Sequence, residues 1–230
     1  MTTTEFSQAF DTLVAAYNYA DLESKLSFDE YEKSFFLTKA QDELIMSFYS
    51  GKNLYNEGFE NTEEVRRYLS SLIKTKEIDE DTTSTLPKLT DQSHIYKLED
   101  DTWFITYESL RLTSENPCLN GKSIEIVPVT QDDLHKLLKN PFKGPNSRRA
   151  LRLDLANNSV EIIYPLRGKY LVRYLKKTSP IIVDTLNESL DIKGKYEVTE
   201  CELHEALHRP ILDRAVQLAV QSKQIASQQK

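Results

Sequence analysis

The sequence predicts an α+β protein, because apolar residues recur at helical spacing through the first third and near the end, and alternate with period two between them. A hydrophobic share of 39% over 230 residues is enough apolar surface for one substantial core. The predicted layout is a helical arm over 1–75, a polar linker over 76–91, an antiparallel β-meander domain over 92–198 with an inserted helix near 131–139, and an amphipathic helix with a polar tail over 199–230.

Phe6, Phe10, Leu13, Val14 and Tyr17 fall on one face of a first helix. Ser27 and Glu30 have the spacing of a capping box ahead of a second, carrying Tyr31, Phe35, Leu37, Ala40, Leu44, Ile45 and Phe48 and ending near Gly51. Asn61 and Glu64 repeat the pattern before Val65, Tyr68, Leu69, Leu72 and Ile73, which predicts a third. Beyond a Thr-, Asp- and Lys-rich stretch the period changes. Trp103, Ile105 and Tyr107 share one side of a strand, with Phe104 and Thr106 on the other. Leu151, Leu153 and Leu155 alternate with Arg152 and Asp154, Asn157-Asn158 supplies a turn, and Val160, Ile162 and Tyr164 alternate on the return. A further strand is expected at Lys169–Leu175 and a short edge strand at Pro180–Val183. Thr130, Asp133 and Pro141 bracket the inserted helix; Thr199 and Glu202 suggest a last cap, with Pro210 inside the apolar series that follows and a fraying tail from Gln221.

Composition removes several function classes. Six glycines and no GxxxxGK[ST] or GxGxxG run argue against a phosphate-cradling loop, and a formal charge of −7 argues against a sequence-reading nucleic-acid binder. The start MTTTEFSQAF has no signal-peptide pattern, Cys118 and Cys201 have no metal-ligand spacing and are expected as free thiols, and no apolar run reaches the roughly 20 residues of a membrane span. No cofactor is predicted.

The one catalytic-looking motif is His204-Glu205-Ala206-Leu207-His208, which on a continuous helix would set two imidazoles a turn apart beside a general base, as in a zinc-dependent hydrolase. Only 22 residues follow it, Asp213 is the only acid among them, and Pro210 interrupts the helix such a site needs, so an amphipathic helix is the preferred reading and the chain is read as a non-enzyme. The acidic clusters Asp29-Glu30, Asp79-Glu80-Asp81 and Glu99-Asp100-Asp101 read as solvated turns or first helical turns.

Two surfaces point to partners instead. Tyr31, Phe35, Phe36, Phe48 and Tyr49, with Phe28, wrap more than one face of the second helix and are candidate anchors for a neighbouring subunit. Lys143, Arg148 and Arg149, with Lys139 and nearby Arg152, make NPFKGPNSRR the most basic loop, suited to an acidic neighbour or to phosphate. Arg173, Lys176 and Lys177 form a second basic cluster.

Four segments carry a resemblance: FDEYEKSFFLTKAQDELI at 28–45, GFENTEEVRRYLSSL at 58–72, VPVTQDDLHKLLKNPFKGPNSRRALRLDL at 127–155 and ECELHEALHRPILDRAVQLAV at 200–220. They resemble virion structural proteins of the crAss-like tailed bacteriophages. The resemblance implies a homo-oligomeric, twelvefold ring that connects head to tail beneath the portal protein and adjoins other ring or tail proteins. It also implies a place in the virion and assembly in the host bacterial cytoplasm, with another capsid- or tail-associated structural protein as the alternative; non-specific contact with phage DNA in the channel is a further partner reading, carried by the basic loop. It brings no catalytic residues with it.

Overall fold

The computed structural model describes residues 1–20, 26–51 and 63–228. In chain order its elements are helices α1 (Thr3–Ala20), α2 (Glu30–Ser50) and α3 (Glu63–Tyr68), then strands β1 (Ile73–Ile78), β2 (Ser93–Lys97), β3 (Thr102–Leu112) and β4 (Ser123–Pro128). Helix α4 (Gln131–Leu138), strands β5 (Arg149–Asp154), β6 (Ser159–Ile163) and β7 (Gly168–Lys176), and helix α5 (His208–Gln228) follow. They fall into two units: Met1–Leu72 with Thr178–Lys230, which holds α1, α2, α3 and α5, and Ile73–Lys177, which holds the described strands and α4. The α+β class holds, but the units are divided differently from the linear layout expected, because the chain returns to the helical unit after β7.

In the helical unit α1 buries Phe6, Phe10 and Val14. Tyr17, expected on that face, is 45% exposed. The cap of α2 is Asp29, two residues beyond the expected Ser27: its carboxylate accepts from the Glu32 amide at 2.6 Å while Glu32 accepts from the Asp29 amide at 3.2 Å. Asp29 serves because its short carboxylate reaches the third amide of the helix and the charge favours the positive end of the dipole. Gly51 ends the helix at φ 72°, a left-handed conformation that glycine adopts without a Cβ penalty.

Helix α2 also carries a buried polar stripe that its apolar spacing conceals. Ser34, Thr38 and Gln41, at i, i+4 and i+7, face alternate residues of the extended return segment. Ser34 Oγ accepts from the Val183 amide at 3.1 Å, Thr38 Oγ1 accepts from the Ile181 amide at 3.0 Å, and Gln41 Nε2 donates to the Ser179 carbonyl at 2.9 Å. A helical stripe thus satisfies backbone groups that no sheet pairs, the condition for burying a loop. This is why Pro180–Val183, expected as an edge strand, makes only a single bridge, Ile182 to Thr199.

The remaining helical expectations shift at their ends. Asn61 lies outside the described residues; α3 stops at Tyr68, and Ile73 begins β1 rather than ending a helix. Thr199 caps nothing: its hydroxyl contacts the Pro180 carbonyl, and α5 starts at His208. Pro210 then lies in the first turn, where its missing N–H is no loss. The helix runs on to Gln228 through the expected polar tail, with Lys223 Nζ 2.5 Å from Glu32 and over the Phe28 ring at 5.2 Å.

The sheet unit orders its strands β1-β7-β3-β4-β5-β6-β2, antiparallel except for β4 and β5, which are parallel and joined through α4. Tyr96 of β2, at one end of that order, donates to the Gly168 carbonyl of β7 at 2.8 Å, with its ring 5.5 Å from Tyr170. A sheet that brings these together is strongly curled, and its inner face holds Tyr96, Leu110, Ile124, Val160, Ile162, Tyr170, Val172 and Tyr174. On the other face α4 lays Leu134 on Leu151, Leu153 and Ile163. Both faces of β5 and β6 are therefore covered, and the hairpin's left-handed turn falls at Asn157 (φ 59°) and Asn158 (φ 53°), as the sequence predicts. In β3 the pairing register slips between Ile105 and Tyr107, so Ile105 packs inward while Tyr107 is 52% exposed; that irregularity breaks the expected common face. The stretch expected as linker is tied down beyond β1: Asp81 donates its amide to Ile95 at 2.8 Å, and Glu80 lies 2.9 Å from His94.

Gly168 is where β7 closes on β3. A Cβ there would lie 2.5 Å from the Arg111 carbonyl oxygen and 3.1 Å from Leu110 Cδ1, so Gly168→Ala must displace backbone. The expected cost is about 1–3 kcal/mol in urea unfolding, the range for overpacking a core; a variant as stable as the parent would show that the strand ends move freely.

Candidate interaction surface

The basic loop is an ordered structure. Asn140 Oδ1 accepts from the Phe142 amide at 2.9 Å, the Gly144 amide donates to the Asn140 carbonyl at 2.8 Å, and Asn146 Oδ1 accepts from the Arg148 amide at 2.9 Å. These short-range bonds follow from the asparagines at 140 and 146, which flank the segment from Pro141 to Pro145, residues suited to tight turns. Lys143 and Arg148 are exposed and Arg149 is half-buried as the first residue of β5. The loop's most prominent side chain is Phe142, 86% exposed. Sequence analysis passed over it; the signal was an aromatic set between proline and lysine in a turn-rich segment.

Arg152, grouped by sequence with this loop, belongs elsewhere. It points inward with Ile162, its register partner, and its guanidinium sits 2.9 Å from both Glu108 oxygens, while the Tyr170 hydroxyl donates to Glu108 at 2.7 Å. Burial pushes the Glu108 carboxyl above the usual carboxylate range, although Arg152 and Tyr170 pull it back down. Burial likewise pushes the Tyr170 phenol well up.

The aromatic surface of α2 is smaller than its sequence suggests. Phe36 is only 9% exposed, packed edge-on against Phe28 at 6.1 Å, and so belongs to the core rather than to the candidate surface. Phe48 and Tyr49 are half-buried. Tyr31 and Phe35 stack at 6.4 Å, and with Met46 and Ile192 they line a groove of about 510 Å³ whose charged lining is Lys39, Asp42, Glu43, Asp191 and Lys193; Asp42 pairs with Lys193 and Glu43 with Arg214, each at 2.8 Å.

The His204–His208 motif is split between two structures. His204 precedes a short helical turn at Glu205–Leu207, where its Nδ1 accepts from the Ala206 amide at 3.2 Å, with its ring 5.5 Å from Tyr68. His208 opens α5 and is buried against Phe6 at 5.4 Å, its Nε2 3.1 Å from the Leu203 carbonyl and its Nδ1 2.7 Å from the Met1 nitrogen. Burial lowers its pKa. The two imidazoles do not share a helical face, which removes the geometry that suggested a zinc hydrolase; among the described residues no three His, Cys, Asp or Glu side chains converge. Nor is any described helix long and apolar enough to cross a membrane.

What remains is a pair of exposed surfaces, the Phe142 loop and the α2 groove, and comparison with known proteins gives the family. A family model described as phage tail ring protein 3/4 matches residues 1–230. The chain belongs to that family. It is 45% identical over 226 residues to Ring protein 3 of Bacteroides phage crAss001, an alignment covering 97% of this chain and 96% of that protein. It is also 31% identical over 229 residues to Ring protein 4/5 of the same phage, covering 95% and 92%. The resemblance read from the four sequence segments therefore holds: this is a structural ring protein of the crAss-like phages. The relatives it matches are structural ring proteins.

Proposed function

We propose that this ring protein assembles as a homo-oligomeric, twelvefold ring at the head-to-tail junction of the virion, below the portal protein and stacked on other ring or tail proteins. The observation that carries the reading is the full-length match to the tail ring family. A closed ring of one chain needs two different complementary surfaces on each copy, and the chain offers two candidates, the Phe142 loop and the α2 groove. On this reading assembly takes place in the host cytoplasm. The net charge of −7 lets DNA pass a channel wall without strong adhesion, with only non-specific contacts from exposed cations such as Arg148.

Mass photometry of the purified chain, alone and mixed with the portal protein, tests this, followed by cryo-electron microscopy of any large species. The expected result is a species of twelve times the 26.6 kDa chain mass, free or only on the portal. A chain that stays monomeric in both settings refutes the connector assignment and moves the protein to another place in the particle.

A further inference from the structure

Phe142 and the α2 groove are each left unexplained by the fold. Phe142 stands 86% exposed on a loop whose own hydrogen bonds hold it there, and an ordered, solvated phenyl ring on a protein built to assemble marks an anchor awaiting a pocket. The groove is the complementary shape: Tyr31, Phe35 and Met46 wall it, the latter two 43% and 44% exposed, and its roughly 510 Å³ has room for a phenyl ring.

Charge favours the same pairing. The helical unit carries 12 basic and 21 acidic residues, the sheet unit 17 and 15, so the groove belongs to the strongly acidic unit and the loop to the basic one. Lys139, Lys143 and Arg148 surround Phe142 in the chain, and Asp191 at the groove is an exposed acid whose carboxylate accepts the Gly194 amide at 2.8 Å. We propose that Phe142 of one copy seats in the α2 groove of the next copy, with a loop cation against Asp191, since Lys193 and Arg214 already hold Asp42 and Glu43. Because the two surfaces differ, each copy offers a knob to one neighbour and a groove to the other, the arrangement that closes into a ring when the rotation permits. The inference rests on the ring reading above and specifies its subunit contact.

The test uses the full chain, alone or on the portal protein, with Cys118→Ser to remove the exposed thiol. Phe142→Cys combined with Met46→Cys is expected to give, on oxidation, a ladder of covalent oligomers that neither single variant gives. Phe142→Asp, which touches no core, is expected to weaken self-association roughly thirtyfold or more with unchanged circular dichroism. If the parent forms rings while Phe142→Asp assembles equally well and the paired cysteines give no ladder, the contact is overturned and the ring reading stands. Unimpaired rings with lost DNA binding in Phe142→Asp would also overturn it and assign the loop to the channel. A parent chain that never self-associates, even on the portal, overturns both.

Discussion

Arg152→Ala is expected to destabilise the sheet unit by about 3–5 kcal/mol, because it strands a buried carboxylate. The Arg152 and Glu108 side chains are only 10% and 8% exposed, and Arg152 Nη1 donates to both Glu108 oxygens at 2.9 Å. With the guanidinium gone, Glu108 keeps the Tyr170 hydroxyl, too little to hold an anion in a core. Arg152→Met with Glu108→Gln is expected to recover most of the loss, since the neutral amide still accepts from Tyr170 and no unpaired charge remains.

The deficit has a definite pH dependence. A carboxyl whose folded pKa lies above its unfolded value favours the fold most where it is protonated, and the penalty is complete above the folded pKa. Burial already pushes Glu108 that way, and losing Arg152 removes the charge that opposes it. The Arg152→Ala deficit should therefore be full near neutral pH and shrink as the pH falls through the raised Glu108 pKa. Urea midpoints of parent and variant across that window decide it; a pH-independent deficit would mean that the arginine acts by packing alone.

Why the sequence misplaced Arg152 shows where pattern reading stops. Alternation assigns Leu151 and Leu153 to one face of β5 and Arg152 to the other, and the ordinary inference sends the charged face to water. Here α4 covers the leucine face and the curled sheet encloses the arginine face, so both are interior. Burial on two sides is a property of topology, which depends on the parallel β4–β5 pair and on β7 returning beside β3; neither has a local signal. Ser34, Thr38 and Gln41 were invisible for a related reason, since their partners lie 138 to 149 residues away. Features governed by neighbours in the chain were legible: the core face of α1 through Val14, the Gly51 stop, the Asn157-Asn158 turn and α4 behind Thr130. The candidate surface was half legible. An aromatic run marks α2 as sticky, but periodicity alone cannot tell that Phe36 turns inward while Phe35 stays 43% exposed.

Phe10→Ala is expected to cost about 3–5 kcal/mol, as for other buried aromatic truncations, and to act on the docking of α1. Phe10 is fully buried and meets Phe28 edge-on at 5.6 Å; Phe28 meets Phe36 edge-on in turn, and Lys223 of α5 lies over it. The ring therefore joins α1 to a chain of aromatic contacts that spans α2 and α5, and removing it leaves a cavity that those rings cannot fill without losing their edge-on geometry. Tyr17→Ala on the same helix is the matched control: at 45% exposure it should change stability by no more than about 0.5 kcal/mol. Helix propensity favours alanine at both positions, so a difference between them isolates packing from helix formation. Hydrogen exchange of α1 amides in Phe10→Ala should rise toward that of a detached helix while the β7 amides, within the other unit, keep their protection. Equal loss at positions 10 and 17 would show that α1 is held through its exposed side as well, by contacts that assembly supplies.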